Sequence, residues 1–232
     1  MLVLLLCCSF PILFRAEVLD TYFRTVYVGD GESGRILRQI LRNYDPYVRP
    51  KPPGGGPTKL EIWIQAMNMM WRNDYFYLKG AYNERWVDER LKFKTKSGGP
   101  EEITLDANEV KEFIWQPEPI FIKHHKHTVF GRGLLTIFSN GTVHHKNLDT
   151  AVMYLKKSAN DQKSFDGTFT ATDFGNDKND VTYKCNPQGC ILYQNDDLAK
   201  KVKNFNYWST FRKIDDREYE IVNFNLTFVP KS

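Results

Sequence analysis

A chain of 232 residues, 41% hydrophobic and 14% aromatic, suits one large domain or at most two small ones. Its formal charge of +4 comes from lysines and arginines scattered along the chain, without the basic stripe of nucleic-acid binders, so nucleic acid is set aside as a partner. After the first residues no run approaches the roughly 20 apolar residues that a membrane-crossing helix needs, and none is expected.

The chain opens with MLVLLLCCSFPILF, almost wholly apolar and followed by Arg15-Ala16. As a helix this run is too short to cross a bilayer. It fits the hydrophobic region of a secretory signal peptide, although the usual preceding positive charge is absent. Residues 1–16 are therefore read as a signal, cleaved after Ser9 or Ala16, with a buried N-terminal strand as the alternative. Residues 17–232 are read as the secreted, extracellular domain.

Residues 30–45 (DGESGRILRQILRNYD) place Ile36, Leu37, Ile40 and Leu41 at helical spacing, started by Glu32-Ser33-Gly34 and ended by Pro46 and Pro50. PKPPGGGP (50–57) is a turn-rich connector. From residue 59 the pattern changes period. KLEIWIQAMNMMW and DYFYLKGAYNERW alternate apolar and polar side chains as half-buried strands do. Asn140-Gly141 sits between two such runs and predicts a two-residue hairpin turn with positive φ at both positions. A second hairpin turns near Asp215-Asp216-Arg217, and residues 194–204 read as a polar loop. One helix followed by such strands predicts a mostly β fold: an antiparallel, immunoglobulin-like β-sandwich of about ten strands with an N-terminal α-helix.

Removing the signal leaves two of the four cysteines, Cys185 and Cys190, flanking Asn-Pro-Gln-Gly. In an oxidising compartment such a pair can close a small disulfide ring, whereas a zinc site would want two such pairs. Asn140-Gly-Thr and Asn225-Leu-Thr are N-glycosylation acceptor sequences. No Gly-x-Ser-x-Gly, His-Glu-x-x-His or phosphate-cradling glycine loop occurs, and DFGNDKND (173–180) lacks calcium-loop spacing. Neither an enzyme nor a cofactor is expected.

Six segments together resemble the extracellular ligand-binding domain of Cys-loop receptors (pentameric ligand-gated ion channels) and the soluble acetylcholine-binding proteins. They are ILRQILRNYDPYVRP, WVDERLKF (86–93), IWQPEPIF (114–121), SNGTV (139–143), LKKSANDQ (155–162) and EYEIVNFNLTFV (218–229). The resemblance runs from about residue 33 to 229. Within it, Trp86 is expected to fill the sandwich core, and Asp88 and Arg90 to pair on one strand face. The family's namesake cysteines would fall at Ala151 and Ser164, so the loop between them is expected to be held by packing alone. Ending at Ser232, before the first membrane helix of a receptor, the chain is read as a soluble member of this group.

By the same resemblance, a small-molecule ligand would sit between subunits of a homopentamer, in a cage of aromatic side chains that favours quaternary amines. The cage positions match poorly. Ile122 stands for the first-loop aromatic, Ala81 for that of the second strand, and Ala171 or Thr172, near Phe174, for a tryptophan. The last hairpin is rich, with Tyr207, Trp208, Phe211 and Tyr219. Ile122, Phe174, Tyr207, Tyr219 and His144 form the candidate ligand-binding set, of a type other than an acetylcholine cage. His124, His125 and His127 lie in KHHKH, and His144 and His145 follow the Asn-Gly turn; the family places these regions on opposite subunit faces. His125 and His127 are thus candidates for an intersubunit zinc or copper site or a pH-dependent interface, against a solvated polar loop. The expected function is that of a secreted ligand-binding protein. The alternatives are the extracellular part of a neurotransmitter-gated channel, or a pentameric interaction protein that has lost its ligand.

Overall fold

The computed structural model describes residues 31–72, 75–117, 120–122, 128–159, 161 and 163–229; the expected signal peptide lies outside them. Helix α1 (Glu32–Leu41) buries Ile36, Leu37, Ile40 and Leu41, the stripe its spacing predicted. Glu32 lies in its first turn, where an acid suits the helix dipole, and pairs with Arg35.

The exit of α1 is fixed by Tyr44. Its hydroxyl donates to Asp88 Oδ2 (2.7 Å) and accepts from the Trp115 backbone N–H (3.1 Å) and Arg90 Nη2 (3.0 Å). Asp88 and Arg90 do pair, at 2.7 Å, but not across a strand face. Asp88 caps a 3-10 turn (Glu89–Leu91) by accepting from the Arg90 backbone N–H. A carboxylate that is 1% exposed must satisfy its lone pairs locally, and the turn brings both donors to it.

Among the described residues twelve strands follow: β1 (Thr58–Arg72), β2 (Tyr75–Val87), β3 (Glu102–Asp106), β4 (Ile120–Ile122), β5 (Thr128–Phe138), β6 (Thr142–Tyr154), β7 (Lys156–Lys157), β8 (Phe165–Thr172), β9 (Val181–Cys185), β10 (Ile191–Tyr193), β11 (Val202–Ile214) and β12 (Arg217–Phe228). Two short helices, α2 (Ala107–Val110) and α3 (Asp196–Ala199), interrupt them, the second inside the stretch read as a polar loop. One sheet runs β10-β1-β2-β6-β5-β3 with β9 also on β1; the other runs β11-β12-β8-β4 with β7 on β8. Between them lie Phe76 against Phe228 (ring centroids 3.9 Å), Phe169 stacked on Phe224 (4.5 Å), and Trp86 edge-on to Trp115 (5.7 Å). Trp86, 2% exposed, fills the core as expected.

Several details depart from a simple antiparallel reading. β9 and β10 both run parallel to β1, pairing Ile62 with Cys185 and then Ile64 with Ile191. They act as one edge strand from which residues 186–189 loop out, and the bonded Cys185 and Cys190 close that loop at its base (Cα–Cα 4.8 Å). At the Asn140-Gly141 hairpin only Gly141 takes positive φ (82°), because Ser139 joins the turn and Gly141 N–H bonds Phe138 O. The result is a longer turn with one left-handed residue. Gly80 is required for another reason: a Cβ there would lie 2.3 Å from Gln65 O, beside the bulge between Ala66 and Asn68. The loop between Ala151 and Ser164 is not held by packing alone. The Asp161 carboxylate accepts from Ser164 Oγ (2.6 Å), Lys163 N–H (2.9 Å) and Lys203 Nζ (2.8 Å), which holds its carboxyl well below the usual range.

Candidate functional site

On β1, Leu60, Ile62, Ile64 and Ala66 point into the sandwich, so Glu61 and Trp63 occupy the opposite face. The register sets Trp63 beside Asn83 of β2, Glu61 beside Arg85, and Arg85 beside His144 of β6. These side chains form one cluster. The His144 imidazole stacks on Trp63 (ring centroids 5.0 Å, 28° between planes), and the Arg85 guanidinium lies 5.0 Å from the same indole. Under this cover Trp63 is only 6% exposed.

The polar contacts set the charge state. Asn83 Nδ2 donates to the carbonyls of Ala81 (3.0 Å) and Trp63 (3.4 Å), so its Oδ1 must be the acceptor for His144 Nε2 at 3.1 Å. His144 therefore carries its proton on Nε2 and its lone pair on Nδ1. Burial, helped by the charges of Arg85 and Lys146, lowers its pKa to about 4, so the ring is neutral at physiological pH. Arg85 is the nearby cation, paired with Glu61 at 3.8 Å; Lys184 meets the same carboxylate at 2.9 Å. Asn186, Pro187 and Gln188 of the disulfide-closed loop complete a cleft of about 300 Å³ with Glu61, Trp63 and Arg85. Glu61 and Arg85 also line a larger neighbouring cleft, about 990 Å³, beneath the Pro/Gly connector.

The second sheet's outer face carries the other aromatic group. Val222, Phe224, Leu226 and Phe228 of β12 point inward, which puts Tyr219 outward. Phe174, 38% exposed just beyond β8, meets Tyr219 edge-on at 5.8 Å, and Arg212 is Tyr219's partner on β11. Tyr207 is separated from them. It shares the phase of Phe205, packs on inward-facing Phe224 (5.4 Å) and buries its hydroxyl in the core.

Of the expected set, Phe174 and Tyr219 therefore come together, Tyr207 lies on the inner side of their sheet, and His144 belongs to the other sheet. Ile122 pairs with Thr170 of β8 in the backbone register. His124, His125 and His127 lie outside the described residues, within which no group of three or more acids, histidines or cysteines is placed to hold a metal.

Sequence reasoning missed Trp63, Asn83, Arg85 and Glu61. The available signal was a tryptophan on the polar phase of a strand. His145, next to His144, points inward, its Nδ1 3.3 Å from Glu84 Oε2. Glu84 is 1% exposed and burial raises its pKa, the His145 contact opposing that shift.

Residues 33–151 match the neurotransmitter-gated ion-channel ligand binding domain family. Among curated proteins, a gamma-aminobutyric acid receptor subunit alpha-6 of Gallus gallus is 32% identical over 132 residues, 50% of this chain and 27% of that protein. A glutamate-gated chloride channel of Drosophila melanogaster is 31% identical over 121 residues, 47% of this chain and 26% of that one. The chain spans about a quarter of the length of the curated relatives it matches.

Proposed function

Because the chain belongs to the neurotransmitter-gated ion-channel ligand-binding domain family, we propose that it binds a small, carboxylate-bearing amino-acid ligand between copies of itself in a homopentameric ring. One observation carries this reading: aromatic and cationic groups lie on the outer faces of both sheets, with Trp63, Arg85 and His144 on one and Phe174, Tyr219 and Arg212 on the other. Outer faces of two packed sheets point in opposite directions, so neither half closes a site within one copy. Head-to-tail association around a ring would oppose them. Arg85 is the natural partner for a carboxylate, and both relatives above are named for amino-acid ligands. An acetylcholine-type cage is disfavoured by Ala81, a buried small side chain where the resemblance calls for an aromatic.

Light scattering on the purified protein is expected to give about five times the protomer mass. Calorimetry is expected to show gamma-aminobutyric acid or glutamate binding that choline esters do not match, and that Arg85→Ala weakens by about tenfold or more. A monomer, or tight choline-ester binding, would overturn the reading.

A second reading has a specific observation behind it. Ala81 and Ala171 leave the cage without two expected aromatics, which suits a pentameric interaction protein that no longer captures a ligand; a screen without hits on a confirmed pentamer would favour it. Entry through a signal peptide and glycosylation at Asn140 and Asn225 belong to the same extracellular proposal. Transcript sequence past Ser232 separates a secreted member without the namesake disulfide from the extracellular part of a channel.

A further inference from the structure

We propose that the larger cleft, beneath the Pro/Gly connector, is a second ligand site within one subunit, taking a small organic anion with an apolar ring body. The cleft of about 990 Å³ lies among the connector, the start of β1, the end of β2 and the β5–β6 turn. That volume is at the upper end of the usual range for small-molecule pockets.

Its wall carries an unsatisfied donor. Arg85 Nε is buried and finds no acceptor among the described residues. Buried N–H groups are paired in the great majority of folded proteins, so this orphaned donor on a cleft-lining residue points to a missing acceptor oxygen. The charge agrees. Arg85 and Lys184 share Glu61, and Glu89 is taken by Lys92, while Lys51 and Lys59 enter no ion pair among the described residues. The cleft therefore holds surplus positive charge beside the rings of Pro52 and Phe138. A carboxylate or sulfonate supplies the acceptor and neutralises the lysines, and an aromatic body covers the rings.

This site goes beyond the intersubunit reading, but Arg85 links the two. Its guanidinium lies over Trp63 in the smaller cleft and lines the larger one. An anion beneath the connector competes with Glu61 and Trp63 for Arg85, so occupancy of one site changes affinity at the other, and the effect is reciprocal.

The test is calorimetry of the full chain with 2-naphthoate and its neutral analogue 2-naphthamide. One naphthoate per subunit is expected, with the amide weaker by about tenfold or more. The exposed Lys51→Glu/Lys59→Glu double substitution is expected to weaken naphthoate by a similar factor without moving the thermal midpoint. His144→Ala, which damages only the outer-face cluster, is expected to leave naphthoate within about twofold. The proposal is overturned if naphthoate does not bind, if the amide binds equally well, or if the double variant binds like the parent. It is also overturned if His144→Ala abolishes naphthoate binding, because the probe then reports the intersubunit site.

Discussion

The Asp88 carboxylate, 1% exposed, has Arg90 and the Tyr44 hydroxyl held against it. Replacing it with alanine leaves the partly buried Arg90 guanidinium without its counter-ion and the Tyr44 hydroxyl without an acceptor. A loss of about 3 kcal/mol is expected in urea unfolding, larger than for an exposed pair such as Lys178–Glu218. His144 gives a prediction in pH. Its folded pKa, about 4, lies below the ordinary value of 6.5, so the unfolded chain takes up a proton first. The stability tied to the neutral ring is complete above about pH 6.5 and is lost as pH falls toward 4. With the ring partly solvated, the effect is about 1–2 kcal/mol after allowance for screening. Urea midpoints from pH 7 to pH 4.5 should fall less steeply for His144→Phe than for the parent; parallel slopes would remove His144 as the cause.

The looped-out edge strand is the element on which the outer-face cluster depends. Cys185 and Cys190 close a short ring, and Asn186, Pro187 and Gln188 within it wall the cleft beside Trp63. Cys185→Ser/Cys190→Ser is expected to cost about 2 kcal/mol in thermal or urea unfolding, the entropy of a ring this short. Under the amino-acid reading proposed above, affinity should fall more than stability alone explains. The ring itself was legible in the sequence, since two cysteines around Pro and Gly leave few other readings. Its place on β1 was not, because parallel pairing depends on a partner more than a hundred residues away and leaves no local period. The same reason explains which neighbours in the two aromatic clusters were legible. Phe174 and Tyr219 fall near landmarks with fixed spacing, and Asn140-Gly141 announces its own turn. Trp63, Asn83, Arg85 and His144 become neighbours only through the β1–β2–β6 register, which a one-residue slip would scatter to opposite faces. The inward turn of Tyr207 was not legible for the same cause: strand phase decides inward or outward, and an aromatic residue fits either.

At the scale of the whole molecule, the ring proposed above makes a prediction that no single copy can satisfy. Arg85→Ala damages one face and Phe174→Ala the other, so a ring of either variant alone has every interface impaired. Co-assembly of equal amounts is expected to restore about a quarter of the interfaces, those pairing the intact face of each variant, as head-to-tail association requires. Calorimetric stoichiometry would show that fraction at parent affinity. No recovery would place all the ligand contacts within one copy.

The five-stranded sheet begins at β11, a thirteen-residue strand bonded, among the described residues, to β12 on one side only. Its free margin is a row of amide and carbonyl groups, flanked by exposed Trp208, Phe211 and Ile214. Such a margin recruits stray strands, and the cations along it, Lys203, Arg212 and Lys213, are the usual deterrent. In an isolated copy this margin is guarded by charge, so high salt is the condition under which such copies should clump first.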